Sequence, residues 1–348
     1  VPDLIVTNFN RNFTGVSSTA AAVIRQQVQD YDLRLSDIAL PGCPSPITRA
    51  EAKALSRTPS NGRSFTIWHV RRNPEMRVAL WARDVLKLPI KIVFTSAAQR
   101  RHSAYPRWLI SKMDAVIATT ENAASFVPNV RAVVPHGVDI ERFQPAPDRA
   151  AAWAATGYPG KRGIATIGRI RPEKGTDRFI DAMLKVLPKH PAATALIIGR
   201  AGKSDIAFLD TQKAKIAQAG LNDRIVFTGE IPADDLVTLL PSLSAVVQLP
   251  LYEGYGMTPL EGMASGVPFV ASDAGYYRSF SCQSTTGVVV DNDDIVQSAA
   301  SQLDAILGDP DRHAKMSNAA RVAAQSAFSI RGEAEGINAV YEQLWAEG

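Results

Sequence analysis

Cysteine is nearly absent from this chain. Cys43 and Cys282 are the only two in 348 residues. They provide neither a disulfide framework nor a zinc ligand set, and they suit a reducing compartment, so a cytoplasmic location is expected. Long apolar runs are also missing. None reaches the roughly 18 residues that a spanning helix needs, and the opening "VPDLIVTNFN" reads as a buried strand rather than a secretion signal. The Gly-x-Gly-x-x-Gly fingerprint of dinucleotide enzymes is missing too. The first strand leads into "NFNRNFTG", with a single glycine, which argues against a nucleotide-dependent oxidoreductase or epimerase. Aromatics are sparse at 7% and charge is ordinary at 21%, whereas 46% of residues are hydrophobic. That composition excludes a disordered chain and supports two domains of roughly 170 residues each.

Strands and helices alternate throughout. Short β-branched runs at 3–7, 65–69, 90–95, 114–119 and 131–135 predict a first parallel sheet, with helices near 16–29, 73–87, 103–112 and 120–126. The turn-rich stretch "VPHGVDIERFQPAPDRAAAW" then reads as a linker. The pattern restarts with strands at 163–168, 193–199, 224–229, 245–250, 268–272 and 287–291, and three helical segments close the chain. The expectation is α/β: two doubly wound domains, 1–143 and 144–330, facing a cleft at the carboxyl ends of their strands.

Charge is uneven. Residues 49–112 hold 14 Lys/Arg against 3 Asp/Glu, an excess of +11 in a chain whose net charge is +4. Such a block suits an anionic partner: nucleic acid, anionic lipid or a phosphorylated glycan.

Several strand-end turns carry chemistry. Gly15 precedes a helix whose first turn holds Ser17, Ser18 and Thr19; this is either a phosphate-binding start or simply a capped helix. In "TIGRIRPEKGTDRF", Arg169, Arg171 and Lys174 stand just ahead of a helix N-terminus, where the helix dipole disfavours cations unless an anion lies between, so Arg169 and Lys174 are candidate phosphate ligands. "IIGRAG" and "VFTGEIP" are strand-then-glycine turns that a flat ring can approach closely. In "LYEGYGMTPLEGM", Thr258, Pro259 and Glu261 fit the first positions of a capping box. Glu253 has no such local task and is expected to face the cleft, near the outward amides of Gly256 and Met257. "DND" at 291–293 imitates a metal-binding Asp-x-Asp, but a helix cap is the better reading.

Taken together, Glu253, seven intervening residues and Glu261, followed by "GMASGVPFVASD", resemble the E-x7-E signature of retaining glycosyltransferases of family 4. "GRIRPEKG" and "VPHGVD" resemble that family's phosphate turn and interdomain segment, so the likeness covers the whole chain. It implies the GT-B fold, with the closing helix, 331–348, returning to the first domain. It implies a donor site in which Arg169 and Lys174 hold a diphosphate and Glu261 holds the ribose. Glu253 and the amides of Gly254, Gly256, Met257 and Thr258 would meet the sugar and phosphate, with Gly15 approaching from the first domain. No cofactor or metal is expected, because two cations and a helix start can stabilise the leaving diphosphate. The chain departs from the family at "SDAGYYRSF", where Tyr276 and Ser279 replace a usual glycine and glutamate. Of the histidines in the first domain, His69 is the preferred catalytic candidate over His102.

The sequence is further similar to bacterial lipopolysaccharide core mannosyltransferases. That likeness implies GDP-mannose as donor and a lipid-linked, Kdo-bearing acceptor, without nucleic acid. Arg71, Arg72, Arg100 and Arg101 are then the acceptor-side cations, and peripheral contact with the cytoplasmic face of the inner membrane is expected. A UDP-sugar used on another envelope glycan is the alternative.

Overall fold

The computed structural model describes residues 1–12, 14–291 and 293–348. It divides into two units, Val1–Gly137 with Ile330–Gly348, and Val138–Ser329.

The first unit holds a six-stranded parallel sheet built from β1 (Leu4–Asn8), β2 (Leu33–Asp37), β3 (Thr66–Val70), β4 (Ile90–Ser96), β5 (Ala115–Ala118) and β6 (Val130–Val133), in the order β2-β1-β3-β4-β5-β6. The second holds β7 (Arg162–Ile167), β8 (Ala193–Ile198), β9 (Ile225–Gly229), β10 (Leu243–Gln248), β11 (Phe269–Ser272) and β12 (Gly287–Val290), in the order β12-β11-β10-β7-β8-β9. Parallel pairing requires a crossover after each strand, and helices in those crossovers cover both faces. Six of the interior strands, β1, β3, β5, β8, β10 and β11, are therefore buried along their whole length.

Two expectations needed correction. The strand β2, "LRLSD", is unforeseen in the sequence: it is a sheet edge, and its polar residues obscure the apolar alternation. The boundary between units falls at Gly137/Val138 rather than 143/144. Val138 and Phe143 are buried with Leu260 and Met263 in the core of the second unit, which claims the turn between them.

The closing helix, Ile330–Ala346, belongs to the first unit. Ile337, Val340, Tyr341, Leu344 and Trp345 pack with Leu4, Val6 and Ile67 on one face of the first sheet. Polar ties fix it: Gln27 donates to Asn338 (2.8 Å), Trp345 Nε1 to the Phe65 carbonyl (3.0 Å), and Arg331 pairs with Asp30. At the two chain crossings, Gly137 N donates to Glu333 within the first unit, and Val138 N to the Phe328 carbonyl within the second.

Candidate functional site

The second unit assembles a polar site from turns at the carboxyl ends of β7 and β10. After β7 the chain passes through Gly168–Arg169–Ile170–Arg171, makes a tight turn at Pro172–Lys174, and enters the helix Thr176–Val186. Gly175 fixes this turn. It adopts φ +73°, and a Cβ there would lie 1.9 Å from the Leu249 carbonyl oxygen, so only glycine lets the two loops touch. Leu251 N donates to the Glu173 carbonyl at 2.9 Å and joins the loops. The consequence is that Lys174 Nζ meets Glu253 Oε2 at 2.6 Å, bringing together two motifs 79 residues apart. The other carboxylate oxygen, Oε1, accepts from Gly254 N at 2.9 Å.

The capping box expected at Thr258–Glu261 does not form. Gly256 turns left-handed (φ +91°) and becomes the N-cap itself, so the helix runs Met257–Ala264 and no side chain caps it. Thr258 is thus the second helical residue and Glu261 the fifth, too far in to reach back to the cap. A side chain at 256 would strike the Tyr277 ring, 2.1 Å from the ideal Cβ. Glu261 is half-buried; its backbone carbonyl accepts from Ser265 N, but its carboxylate takes no hydrogen bond from the described residues. Burial pushes its carboxyl up to about 7, partly opposed by the Arg142 guanidinium. Arg142, itself bonded to Asp234 at 2.7 Å, is a neighbour of the site that sequence reasoning missed. Its only signal was a charge inside the "GVDIERF" turn.

Three glycines line the carboxyl edge of β7, β8 and β9. Gly168 N donates to the Ile198 carbonyl and Gly199 N to the Gly229 carbonyl. Arg169 is exposed beside this row, next to the same turn as Lys174. The departure at Tyr276 has a packing reason. Tyr276 stacks on Tyr255 (5.2 Å between centroids), and both meet Phe280, forming an aromatic wall behind the glycine turn. Of "DND", Asn292 lies outside the described residues. The cap of the helix Ile295–Gly308 is the residue after that triplet, Asp294, rather than Asp291 or Asp293. Among the described residues no three His, Cys, Asp or Glu converge to hold a metal ion.

In the first unit, the strand ends carry a buried polar hub that the sequence did not reveal. The carboxylate of Glu75 is fully buried and accepts from Thr7 Oγ1 (3.1 Å), Phe9 N (3.2 Å) and Arg71 N (2.7 Å). Arg72 pairs with Glu75 and reaches Asn8 Oδ1 (3.1 Å), Thr14 Oγ1 (3.2 Å) and Ser17 Oγ (2.9 Å). Arg72 therefore braces β1, β3 and the first helix, Gly15–Gln27, rather than standing free for a ligand. At that helix start no side chain of the described residues caps the backbone, and none of them lies within 4 Å of where a Cβ at Gly15 would sit.

His69 also has a different task from the one expected. It lies inside β3 with no exposure; Nδ1 meets Tyr341 Oη of the closing helix, and Nε2 meets Thr95 Oγ1 at 2.7 Å. Burial, then the neighbouring Arg71 charge, pushes its pKa well down, so it sits neutral with both nitrogens engaged. This is a core histidine tying helix to sheet. Arg71 is half-buried: one of its terminal nitrogens is buried without a partner among the described residues, and burial disfavours its charge. His102 likewise keeps a buried Nε2 without a partner, and Arg100 and Arg101 are exposed on the loop after β4.

The description "Glycosyl transferases group 1" fits residues 153–323, which lie within the second unit. Over 345 residues, 98% of this chain and 96% of the relative, the sequence is 38% identical to the lipopolysaccharide core biosynthesis mannosyltransferase LpcC of Rhizobium leguminosarum bv. viciae. It is 37% identical to LpsB of Rhizobium meliloti (strain 1021), described in the same words, across 98% of this chain and 97% of the relative. The C-terminal domain of a group 1 glycosyl transferase, LpcC of Francisella tularensis, superposes with a TM-score of 0.54 at 33% identity, covering 56% of this chain and all of that one. The Anabaena Alr3699/HepE structure in complex with UDP superposes with a TM-score of 0.81, covering 98% of this chain and all of that one; at 16% identity this speaks for the fold alone, GT-B with two Rossmann-like parallel-sheet domains.

Proposed function

Since the chain belongs to the group 1 glycosyl transferases, we propose that it moves mannose from GDP-mannose onto an anionic, lipid-linked glycan of the lipopolysaccharide core. The transfer retains the anomeric configuration and needs no metal ion, and the enzyme works at the cytoplasmic face of the inner membrane. The sugar and the acceptor are suggested by the activity that the two full-length relatives are named for.

The observation that carries the chemistry is the meeting of Lys174 and Glu253 beside the uncapped start of the Gly256 helix. Departure of a nucleoside diphosphate builds negative charge on the leaving phosphate. Lys174, Arg169 and the amides at the helix start supply fixed positive potential for that charge, and it costs no reorganisation as the bond breaks. Glu253, held by Lys174 and by Gly254 N, is poised to accept hydroxyl protons of the transferred sugar. Glu261, whose carboxylate takes no hydrogen bond from the described residues, offers it to the ribose diol. In the first unit, Arg71 with its unsatisfied donor, together with Arg100 and Arg101, supplies charge for the acceptor's carboxylate or phosphate.

A panel of GDP- and UDP-sugars, assayed with and without EDTA, tests this reading. Turnover of GDP-mannose that persists in EDTA and gives an α-linked product is the expected result. Lys174→Met should lower that turnover about 10- to 100-fold, the loss of one charge-assisted hydrogen bond to the diphosphate. Turnover with UDP-sugars alone would overturn the donor, and full loss in EDTA would overturn metal independence.

A further inference from the structure

Exposed large hydrophobic side chains concentrate in one part of the first unit. Trp81 is 45% exposed, Val85 62%, Leu86 41%, Tyr105 50% and Trp108 55%. They stem from two neighbouring helical segments: Asn73–Leu80, which continues as a π-helical turn over Trp81–Val85, and Ala104–Ile110. Trp81, Tyr105 and Trp108 line a groove of about 750 Å³ together with Arg49, Lys53 and Arg77. The Tyr105 and Trp108 rings stack at 6.3 Å, and Lys53 Nζ lies 4.8 Å from the Trp81 ring centre. Arg49 is already engaged by Asp37, which leaves Lys53 and Arg77 as the charges the groove presents. On the far flank of Trp108, Arg101 and Arg107 line a second depression.

We infer that this face docks onto an anionic lipid bilayer, with Trp81, Val85, Leu86 and Trp108 entering the headgroup layer and Lys53 and Arg77 meeting lipid phosphates. Tryptophan rings favour that layer, and basic residues at its edge are attracted by anionic headgroups. The groove does not suit a sugar. Among the described residues no Asp, Glu, Asn or Gln lines it to accept hydrogen bonds from hydroxyls, and Pro74, Val78, Leu80 and Leu109 in its lining give a polar ring no side chain to bond. Its own cations make it complementary to negative charge, which an ordinary apolar protein partner does not require. The inference deepens the reading of a lipid-linked acceptor and rests on it for its purpose, but the binding is measured without any transfer.

Flotation of the purified full chain with vesicles tests it, using equal phosphatidylcholine and phosphatidylglycerol against phosphatidylcholine alone. The wild type should float with the anionic vesicles, with a blue shift in tryptophan fluorescence. Trp81→Ser/Trp108→Ser should lower the bound fraction about tenfold, and Lys53→Glu/Arg77→Glu should remove the preference for the anionic lipid. All four positions are on the surface, and circular dichroism checks that the variants fold. Wild type that stays unbound, a double tryptophan variant that floats like wild type, or a soluble oligosaccharide that shifts the fluorescence where vesicles do not, overturns the inference. Transfer to a deacylated, water-soluble acceptor should be untouched by the tryptophan changes. Failure of the wild type in that assay would instead overturn the proposed function and leave the vesicle result standing.

Discussion

At the scale of single residues, the fold gives Glu253 the local partners it was expected to lack and takes from Glu261 the cap it was expected to form. Glu253 is held by Lys174 and Gly254, whereas the Glu261 carboxylate sits half-buried with no hydrogen bond from the described residues. A pH dependence follows. The folded chain holds the Glu261 proton up to about 7, against an ordinary 4.5. A raised carboxyl makes the fold bind a proton more tightly than the unfolded chain does. This stabilising contribution is complete below the unfolded pKa and is lost as pH rises through the folded one. A ribose diol donates to the ionised form, so GDP affinity should increase as pH rises from about 6 to about 8, with proton release on binding. Calorimetry in two buffers of different ionisation enthalpy measures that release. Glu261→Gln should flatten the profile, and an unchanged profile would remove Glu261 from the ribose.

At the scale of elements, the buried strands were legible because parallel sheets demand continuous apolar runs, and "ATALII" or "LSAVVQ" can hardly be anything else. What stayed hidden depended on partners distant in sequence. The edge strand β2 is half polar, the start of the Gly256 helix is set by the distant Tyr277 ring, and the Glu75 hub collects donors from β1 and from the turn after β3. The turns that carry Arg169, Lys174 and Glu253 stood out because strand-end turns in an α/β sheet are where ligands bind, and the fold brings Lys174 and Glu253 into contact. His69 was misleading for the same reason: its place near a strand end suggested catalysis, but the closing helix, which buries it, comes some 270 residues later. Glu75→Ala would leave the Phe9 and Arg71 amides and the Arg72 guanidinium without their shared acceptor. A loss of about 3–5 kcal/mol is expected for breaking a buried ion pair. Chemical denaturation should show it in the transition of the first unit, with that of the second unit unchanged.

At the scale of the whole molecule, the second unit is continuous in sequence and the first is not. A fragment of residues 138–329 carries its own sheet, its own cores and every residue proposed above for the donor site of the second unit. It should fold alone and bind GDP, with cooperative thermal unfolding as the check; a molten fragment would show that the unit leans on the rest of the chain. Residues 1–137 alone should not reach a native state, because Tyr341 and Trp345 are missing from their core. Synthesis runs from the N-terminus, so the first sheet leaves the ribosome with one apolar face covered only in part, by the helix Gly15–Gln27, and must wait while the entire second unit is made and folds. Only when residues 330–346 emerge is the cover of that face completed. The first half of this protein is therefore the last to be finished, and that interval is when the chain has most need of a chaperone.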